Sequence, residues 1–157
     1  MPLNVDWAGV FPAVPTQFKQ DLSLDLPATQ AHVEALLDSG IHGLIMLGTI
    51  GENCSPTLDE KVQVLKATAE VNRGRVPLLN GVAEFTTRAA CETSQAAEAA
   101  GVDGLMVMPA MVYNSDRRET VQHFRSVASS TALPIICYNN PPLYRVDLTP
   151  HMFQDLS

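Results

Sequence analysis

The strongest constraint on the fold of this chain is a regular alternation of short apolar runs with amphipathic segments. The apolar runs begin near residues 9, 43, 77, 104 and 134, so one unit recurs about every 30 residues. Runs such as 43–48 and 104–109 are apolar throughout, as expected of parallel strands that are buried on both faces. Strands that alternate with helices in this way predict an α/β fold with a parallel sheet covered by helices.

The segments between the predicted strands carry helix start signals. Asp25 is a suitable cap with Pro27 in the first turn, and Thr57 and Glu60 have the spacing of a capping box. Further helices are predicted to begin at similar capping residues, at Thr86 or Thr87, at Ser115 or Asp116, and at Thr149. The buried stripe of the second helix is predicted to consist of Val62, Leu65, Ala69 and Val71.

The number of predicted strands leaves two architectures open, an open flavodoxin-like sheet and a barrel without its later units. Five strands do not close a standard eight-stranded barrel. The turn after the first strand, 15–18, lacks the Gly-rich pattern of dinucleotide-binding open sheets. The sequence stops at Ser157 inside a predicted helix, which favours the barrel. We therefore expect residues 1–157 to be the N-terminal part of a single (β/α)8 TIM-barrel domain, with about the first five βα units.

Composition argues against several kinds of partner. The net charge is −7 and the ten basic residues are scattered, whereas binding to nucleic acid requires clustered Lys and Arg. The first ten residues lack the pattern of a signal peptide, and no apolar stretch approaches the roughly 18 residues of a membrane span. The three cysteines have no metal-ligand spacing. We expect a soluble cytoplasmic protein with no metal and with no nucleic-acid or membrane partner.

The sharpest local feature is the segment Gly48-Thr49-Ile50-Gly51-Glu52, which follows the second predicted strand. Ligands of parallel α/β folds bind at the carboxyl ends of the strands. Gly48 and Gly51 are expected to adopt backbone conformations that other residues resist, and successive N–H groups would then point at a carboxylate or phosphate. Thr49 adds a hydroxyl that can pass on a proton. The alternative is a plain βα turn with Glu52 near a helix start.

Tyr138 lies at the carboxyl end of the fifth predicted strand. Its phenol can act as a general acid or base if it shares its proton with a neighbouring hydroxyl, although a tyrosine that simply packs at the rim is the alternative. The amides of Asn139 and Asn140 are expected to hold the next turn, together with Pro141. Tyr113 is a weaker candidate on a loop. The four histidines are interpreted as surface or structural residues: His32, His42, His123 and His151.

These segments resemble the dihydrodipicolinate synthase / N-acetylneuraminate lyase family. Residues 48–52 look like its GTTGE or GSTGE loop, and 138–141 like its YN-x-P motif. Residues 9–16 resemble its first strand, and 100–104 its A-G-A-D-G junction. Two motifs in order and about 90 residues apart are more specific than either alone. The resemblance implies the TIM barrel and a lyase that forms a Schiff base with pyruvate or another 2-oxo acid.

The resemblance also implies roles for individual residues. Tyr138 would shuttle protons, and Thr49 would link it to solvent or to a partner tyrosine. Backbone N–H groups around Gly48, Thr49 and Ile50 would hold the substrate carboxylate. Tyr113 would be the tyrosine that the family contributes across a subunit interface. No cofactor is implied, and the family is commonly a homotetramer, so the partners expected are a small 2-oxo acid and further copies of the chain, as a tetramer or a dimer.

The sequence departs from the family pattern in three ways. By the family pattern, the lysine that forms the Schiff base should follow Tyr138 on the next strand, past Ser157. Lys19, Lys61 and Lys66 lie in a predicted loop or on helices and are not credible substitutes. Ile50 replaces the second hydroxyl of the loop, and a hydrocarbon side chain cannot relay a proton. The position of the family's substrate-binding arginine is taken by Leu143, with Arg145 two places on.

Two other functions stay open. The chain could be a catalytically incomplete binding or regulatory remnant of the same fold, which the sequence after Ser157 would reveal. It could instead be a phosphate-binding barrel that uses the 48–51 loop with a metal. The second alternative is weakened because the chain has no clustered acidic or histidine ligands.

Overall fold

A computed structural model describes residues 5–156; residues 1–4, which belong to the segment examined for a signal peptide, and Ser157 lie outside the described part. The strands are β1 (Leu44–Met46), β2 (Leu78–Val82), β3 (Gly104–Val107) and β4 (Ile135–Cys137). The helices are α1 (Leu26–Asp38), α2 (Leu58–Asn72), α3 (Thr87–Ala99), α4 (Arg117–Ser129), the short α5 (Pro141–Tyr144) and α6 (Pro150–Leu156).

The order of the strands decides between the two architectures. All neighbouring strands are parallel and follow one another in chain order, β1-β2-β3-β4. A doubly wound open sheet reverses its order at a switch point, and no reversal occurs in the described residues. Each strand instead lies beside its predecessor, as it does in a (β/α)8 barrel. The predicted fold class is confirmed, with these units forming the N-terminal portion of the barrel.

The first predicted strand, 9–16, is reduced to a single bridge between Ala13 and Ile45. The backbone N–H of Val14 donates to Ile45 at 2.9 Å, and the N–H of Ile45 donates to Pro12 at 3.0 Å. The segment therefore runs parallel to β1 at the edge of the sheet. Its pairing stays short because Pro12 and Pro15 have no N–H to donate.

Apolar residues form two clusters, one on each face of the sheet. The outer cluster includes Val33, Val64 and Leu105, and it packs the sheet against the helices. The inner cluster contains Ile45, Leu79, Ala83, Met106 and Met108. Because side chains alternate along a strand, neighbours in sequence enter opposite clusters, and the inner face corresponds to the interior of a barrel.

The helix starts agree with the sequence signals. Asp25, Thr57, Thr86 and Asp116 each accept a backbone N–H at the N-terminus of their helices. The capping box of Thr57 and Glu60 is present. The predicted stripe of α2 is only partly right: Val62, Ala69 and Val71 are half-buried, whereas the fully buried positions are Lys61, Val64, Leu65, Ala67, Thr68 and Asn72. Among the described helices, none is long and apolar enough to cross a membrane.

His123 joins α4 to the end of β3. The ring is 3% exposed, and its Nε2 lies 3.1 Å from the carbonyl oxygen of Met108. A carbonyl only accepts, so Nε2 carries the proton and Nδ1 accepts from the hydroxyl of Thr87 at 3.0 Å. The structural interpretation of this histidine is therefore supported. Burial lowers the pKa of His123, and the bond to Met108 opposes this only in part.

This contact predicts a stability that depends on pH. The folded protein favours the neutral ring of His123. The contribution of this ring to the free energy of unfolding is therefore fully present above the ordinary histidine pKa of about 6.5, and it is lost as pH falls through the lower pKa of the folded state. In the full-length protein, His123→Gln should therefore reduce the loss of unfolding free energy between neutral and mildly acid pH. Urea denaturation of both proteins across that range measures it. Equal pH dependence in the two proteins would show that the imidazole does not titrate as described.

Candidate active site

The loop after β1 carries the motif that the sequence singled out, and its backbone is strained at two positions. Positive φ angles occur at Leu47, with 53°, and at Glu52, with 56°. The expectation that Gly48 and Gly51 supply the unusual conformations is therefore wrong. Gly51 is required for space instead, since an added Cβ would lie 2.7 Å from the backbone nitrogen of Leu47. Strain of this kind is commonly retained at functional sites.

The loop lies directly against the next strand at Gly81. A Cβ on Gly81 would come within 2.6 Å of both Cα and N of Gly48. The reverse is not true, because a Cβ on Gly48 would meet only Met106 and Met108, at 3.5 and 3.9 Å. The missing side chain of Gly81 therefore sets how closely the loop approaches β2.

Hydrogen bonds fix both ends of the loop. The hydroxyl of Thr16 donates to the carbonyl of Gly51 at 2.7 Å. The backbone N–H of Asn53 donates to Gly48 at 3.3 Å, and the side-chain amide of Asn53 donates to the carbonyl of Ala83 at 2.9 Å. The loop is thereby tied to the first segment and to the end of β2.

The hydroxyl of Thr49 is paired with Tyr144 across 95 residues of sequence. The two oxygens are 2.5 Å apart, and either can be the donor. Tyr144 ends the short helix α5, and the sequence analysis did not select it. A signal was present, because Tyr144 lies between Leu143 and Arg145, the two positions considered for substrate binding.

Tyr138 lies beside this pair without bonding to Thr49 in the described part of the chain. Its ring meets the ring of Tyr144 edge to face, with centroids 5.9 Å apart and an angle of 73°. Its hydroxyl accepts from the side-chain amide of Asn140 at 3.4 Å. Both tyrosines also pack against the inner apolar cluster. The structure therefore brings Thr49, Tyr144 and Tyr138 together in that order.

The turn after β4 is held by the side-chain amide of Asn139, whereas that of Asn140 bonds to Tyr138 instead, so the prediction for the two amides is right for Asn139 alone. Asn139 donates to the carboxylate of Asp147 at 3.0 Å and accepts from the backbone N–H of Leu148 at 3.0 Å. Asn140 and Pro141 begin α5. Arg145, which follows α5, has a φ angle of 57°. The geometry here therefore aims Tyr144 at Thr49 and leaves Arg145 exposed.

A cavity of about 580 Å³ opens at this rim. Its walls come from the loops that follow three strands, and they consist of Thr49, Met111, Val112, Tyr113, Asn114, Leu143, Tyr144 and Arg145. Arg145 supplies the only formal charge among these lining residues. The cavity is therefore amphipathic, with hydroxyls, apolar side chains and one guanidinium.

Tyr113 and Ile50 are both exposed at the rim, at 61% and 64%. The hydroxyl of Tyr113 donates to the carboxylate of Glu119 at 3.0 Å. This bond, reinforced by the negative charge, raises the pKa of the Tyr113 phenol. Tyr113 shares the cavity with Thr49 but is not bonded to it in the described residues.

The lysines of the chain lie away from the cavity. Lys19 and Lys66 are exposed, and Lys61 is buried on α2 with its amine 2.6 Å from Glu84. Among the described residues, the backbone N–H groups of Thr49 and Ile50 have no acceptor, and no cluster of His, Cys, Asp and Glu is placed to hold a metal ion. The site can thus offer two N–H donors and a bonded pair of hydroxyls, with the phenol of Tyr138 beside them. This arrangement is suited to an anion beside a proton-transfer step.

Comparison with known proteins gives one consistent family. The Dihydrodipicolinate synthetase family matches residues 6–157. An uncharacterized DapA-like lyase of Rhizobium meliloti is 34% identical over 100% of the chain and 52% of its own length. A 4-hydroxy-tetrahydrodipicolinate synthase of Chelativorans sp. (strain BNC1) is 37% identical over 95% of the chain and 51% of its own length.

Solved structures agree with the sequence comparison. YagE, a prophage protein of the dihydrodipicolinic acid synthase family from E. coli K12 in complex with pyruvate, matches with a TM-score of 0.90 and 33% identity. That match covers 96% of this chain and 50% of YagE. The chain spans about half the length of the relatives it matches.

The contact between the loop and β2 predicts an asymmetry between two glycines. Gly81→Ala should lower the free energy of unfolding by about 1–3 kcal/mol, because its Cβ meets backbone that cannot move aside cheaply. Gly48→Ala should change it by less than about 1 kcal/mol, because its Cβ meets only the ends of flexible methionines. Denaturant unfolding of the full-length variants compares them. Equal losses would contradict the packing described here.

Proposed function

Because the chain belongs to the dihydrodipicolinate synthetase family, which matches residues 6–157, we propose that the whole protein is a lyase that forms a Schiff base with pyruvate or another 2-oxo acid. The observation that carries the proposal is the bond between Thr49 and Tyr144, at 2.5 Å, on the wall of the rim cavity. A hydroxyl pair beside an apolar cavity is suited to moving a proton at a carbon next to an imine. The alternative is a binding or regulatory remnant of the same fold that has no catalytic activity. The trapping experiment described below distinguishes it from the lyase.

The substrate carboxylate would bind at the loop after β1. The N–H groups of Thr49 and Ile50 are free of acceptors within the described residues, and the loop is held by Thr16, Gly51 and Asn53. Fixed donors do not need to reorganise when charge shifts during a reaction. The hydrocarbon side chain of Ile50 leaves recognition of the carboxylate to the backbone. The amine that forms the imine would come from a lysine beyond Ser157.

The proton relay would consist of Tyr138, Tyr144 and Thr49, all supplied by one chain. Imine formation joins the 2-oxo carbon to the lysine amine with loss of water. A base then removes a proton from the neighbouring carbon and leaves an enamine, which can attack an acceptor or be protonated again. Tyr138 is the group proposed to face that carbon, while Tyr144 and Thr49 would carry the proton towards solvent.

Arg145 is the group proposed to select the second substrate. It is exposed at the cavity, has no ion pair among the described residues, and adopts a left-handed backbone conformation that a β-carbon disfavours. A guanidinium binds carboxylate and phosphate oxygens through paired N–H groups. We therefore propose that the second substrate carries an anionic group. Tyr113 would form the outer wall of the same cavity.

Three further expectations are part of this proposal. The described residues would form the first part of one barrel domain that the rest of the protein completes. The whole protein would be a homo-oligomer, by analogy with its family, in the cytoplasm. Its partners would be small 2-oxo acids rather than nucleic acid or membranes.

The Schiff base can be trapped directly. The full-length protein is incubated with pyruvate and then reduced with borohydride, which converts an imine into a stable amine. We expect one covalent adduct per chain, on a lysine beyond Ser157, and no adduct when pyruvate is omitted. Mass spectrometry of the intact protein and of its peptides measures both. If no adduct forms with pyruvate or with larger 2-oxo acids, the lyase is excluded and the remnant is favoured.

The proposed relay predicts that substitutions of its residues slow a reaction that needs pyruvate as the only substrate. In D₂O, the enzyme should exchange the methyl hydrogens of pyruvate, which NMR follows. Tyr138→Phe and Tyr144→Phe should each slow this exchange by about a hundredfold or more, because each removes a proton-transferring hydroxyl. Thr49→Val should behave likewise, while Thr49→Ser, which keeps the hydroxyl, should retain most of the rate. Tyr113→Phe should slow the exchange less than Tyr144→Phe does. Equal losses in these two variants would contradict the proposed relay, which contains Tyr144 and not Tyr113.

A further inference from the structure

One buried ion pair lies outside the cavity described above. Lys61 on α2 and Glu84, which follows β2, are 2.6 Å apart, with side chains only 7% and 11% exposed. In every other ion pair between described side chains, both partners are at least 40% exposed. Removing two charges from water is costly, and apolar residues of similar size often stabilise a fold as well. Stability alone is therefore a poor explanation for this pair.

The carboxylate of Glu84 gathers three donors on one oxygen. Its Oε1 accepts from the amine of Lys61 at 2.6 Å, from the hydroxyl of Thr93 at 3.0 Å and from the side-chain amide of Asn53 at 3.2 Å. These donors come from α2, from α3 and from the loop after β1. Glu84 thus joins the two helices to the loop that carries Thr49.

Asn53 is the link between the pair and the loop. It is 1% exposed, and its amide nitrogen is shared between Glu84 and the carbonyl of Ala83. Its backbone N–H closes the loop onto Gly48. A side-chain amide that turned over would place its oxygen against two acceptors. The carbonyl of Ala83 and the carboxylate of Glu84 therefore select one orientation of Asn53 together.

We propose that Lys61 and Glu84 are positioning residues, which act through Asn53 to hold Thr49 and the N–H groups of Thr49 and Ile50 in the geometry that the reaction needs. The inference rests on the proposed function for its catalytic consequence. Its structural part, the anchoring of loop 48–53, can be measured without any reaction. Lys61 neutralises the charge of Glu84 so that the carboxylate stays in place as an acceptor.

The test separates positioning from folding by using single and double substitutions in the full-length protein. Lys61→Met leaves a buried carboxylate without its partner and should lower Tm. The double variant Lys61→Met/Glu84→Leu makes the site apolar and should recover most of that Tm, since both charges are removed together. Glu34→Gln is the matched control, because it removes one carboxylate from the exposed pair that Glu34 forms with Arg75 at 2.8 Å.

Two readouts are followed in each variant. The first is the exchange of pyruvate methyl hydrogens, where the double variant should show kcat/KM lowered by about ten- to a hundredfold and a raised KM for pyruvate, despite its recovered Tm. The second is amide hydrogen exchange, followed by mass spectrometry, of the peptide containing 48–53. This peptide should exchange faster in the double variant than in the wild type. Glu34→Gln should match the wild type in both.

The outcomes separate the two proposals. If methyl exchange recovers together with Tm in the double variant, or if the 48–53 peptide keeps the wild-type exchange rate, the positioning role is overturned. If the wild-type protein gives no adduct and no methyl exchange, the proposed function fails. The amide exchange of 48–53 then still decides whether Lys61 and Glu84 anchor the loop.

Discussion

The close contact between the loop after β1 and the strand beside it is the constraint on which the site depends. Gly81 has no side chain where it meets the backbone of Gly48, so the loop rests on β2 without a layer of side chains between them. Strands that follow one another in parallel make this possible, because each loop emerges beside the end of the next strand. Packing against β2 therefore positions the backbone of Thr49 together with the hydrogen bonds that tie both ends of the loop.

Most of the fold could be predicted from the sequence because its signals are local. Apolar runs and capping residues act within a few positions, and Thr57 with Glu60 forms the predicted box. The length of the first strand was overestimated, because its prolines limit the backbone pairing that its apolar character favours. The roles of the loop glycines were misassigned. Whether a glycine supplies φ or space depends on neighbours such as Leu47, which are not apparent in the motif.

The site itself was predictable only in part, because its contacts are distant in sequence. Thr49 and Tyr144 are 95 residues apart and Lys61 and Glu84 are 23 apart, and no periodic pattern connects either pair. A lysine after a capping box is usually a solvated residue. Its burial depends on Glu84, which is brought against α2 only when the sheet is formed.

The proposed relay and its proposed anchor, Lys61 with Glu84, place different physical demands on the same loop. A hydroxyl chain passes protons only at short distance, and the proposed relay contains one such contact, the bond between Thr49 and Tyr144. Because α5 comes from the same chain, this contact forms without a residue from another subunit. The remaining demand is orientation, which a charged, buried acceptor such as Glu84 supplies more selectively than apolar packing would. A loop with strained residues at Leu47 and Glu52 needs such external restraint to keep one conformation.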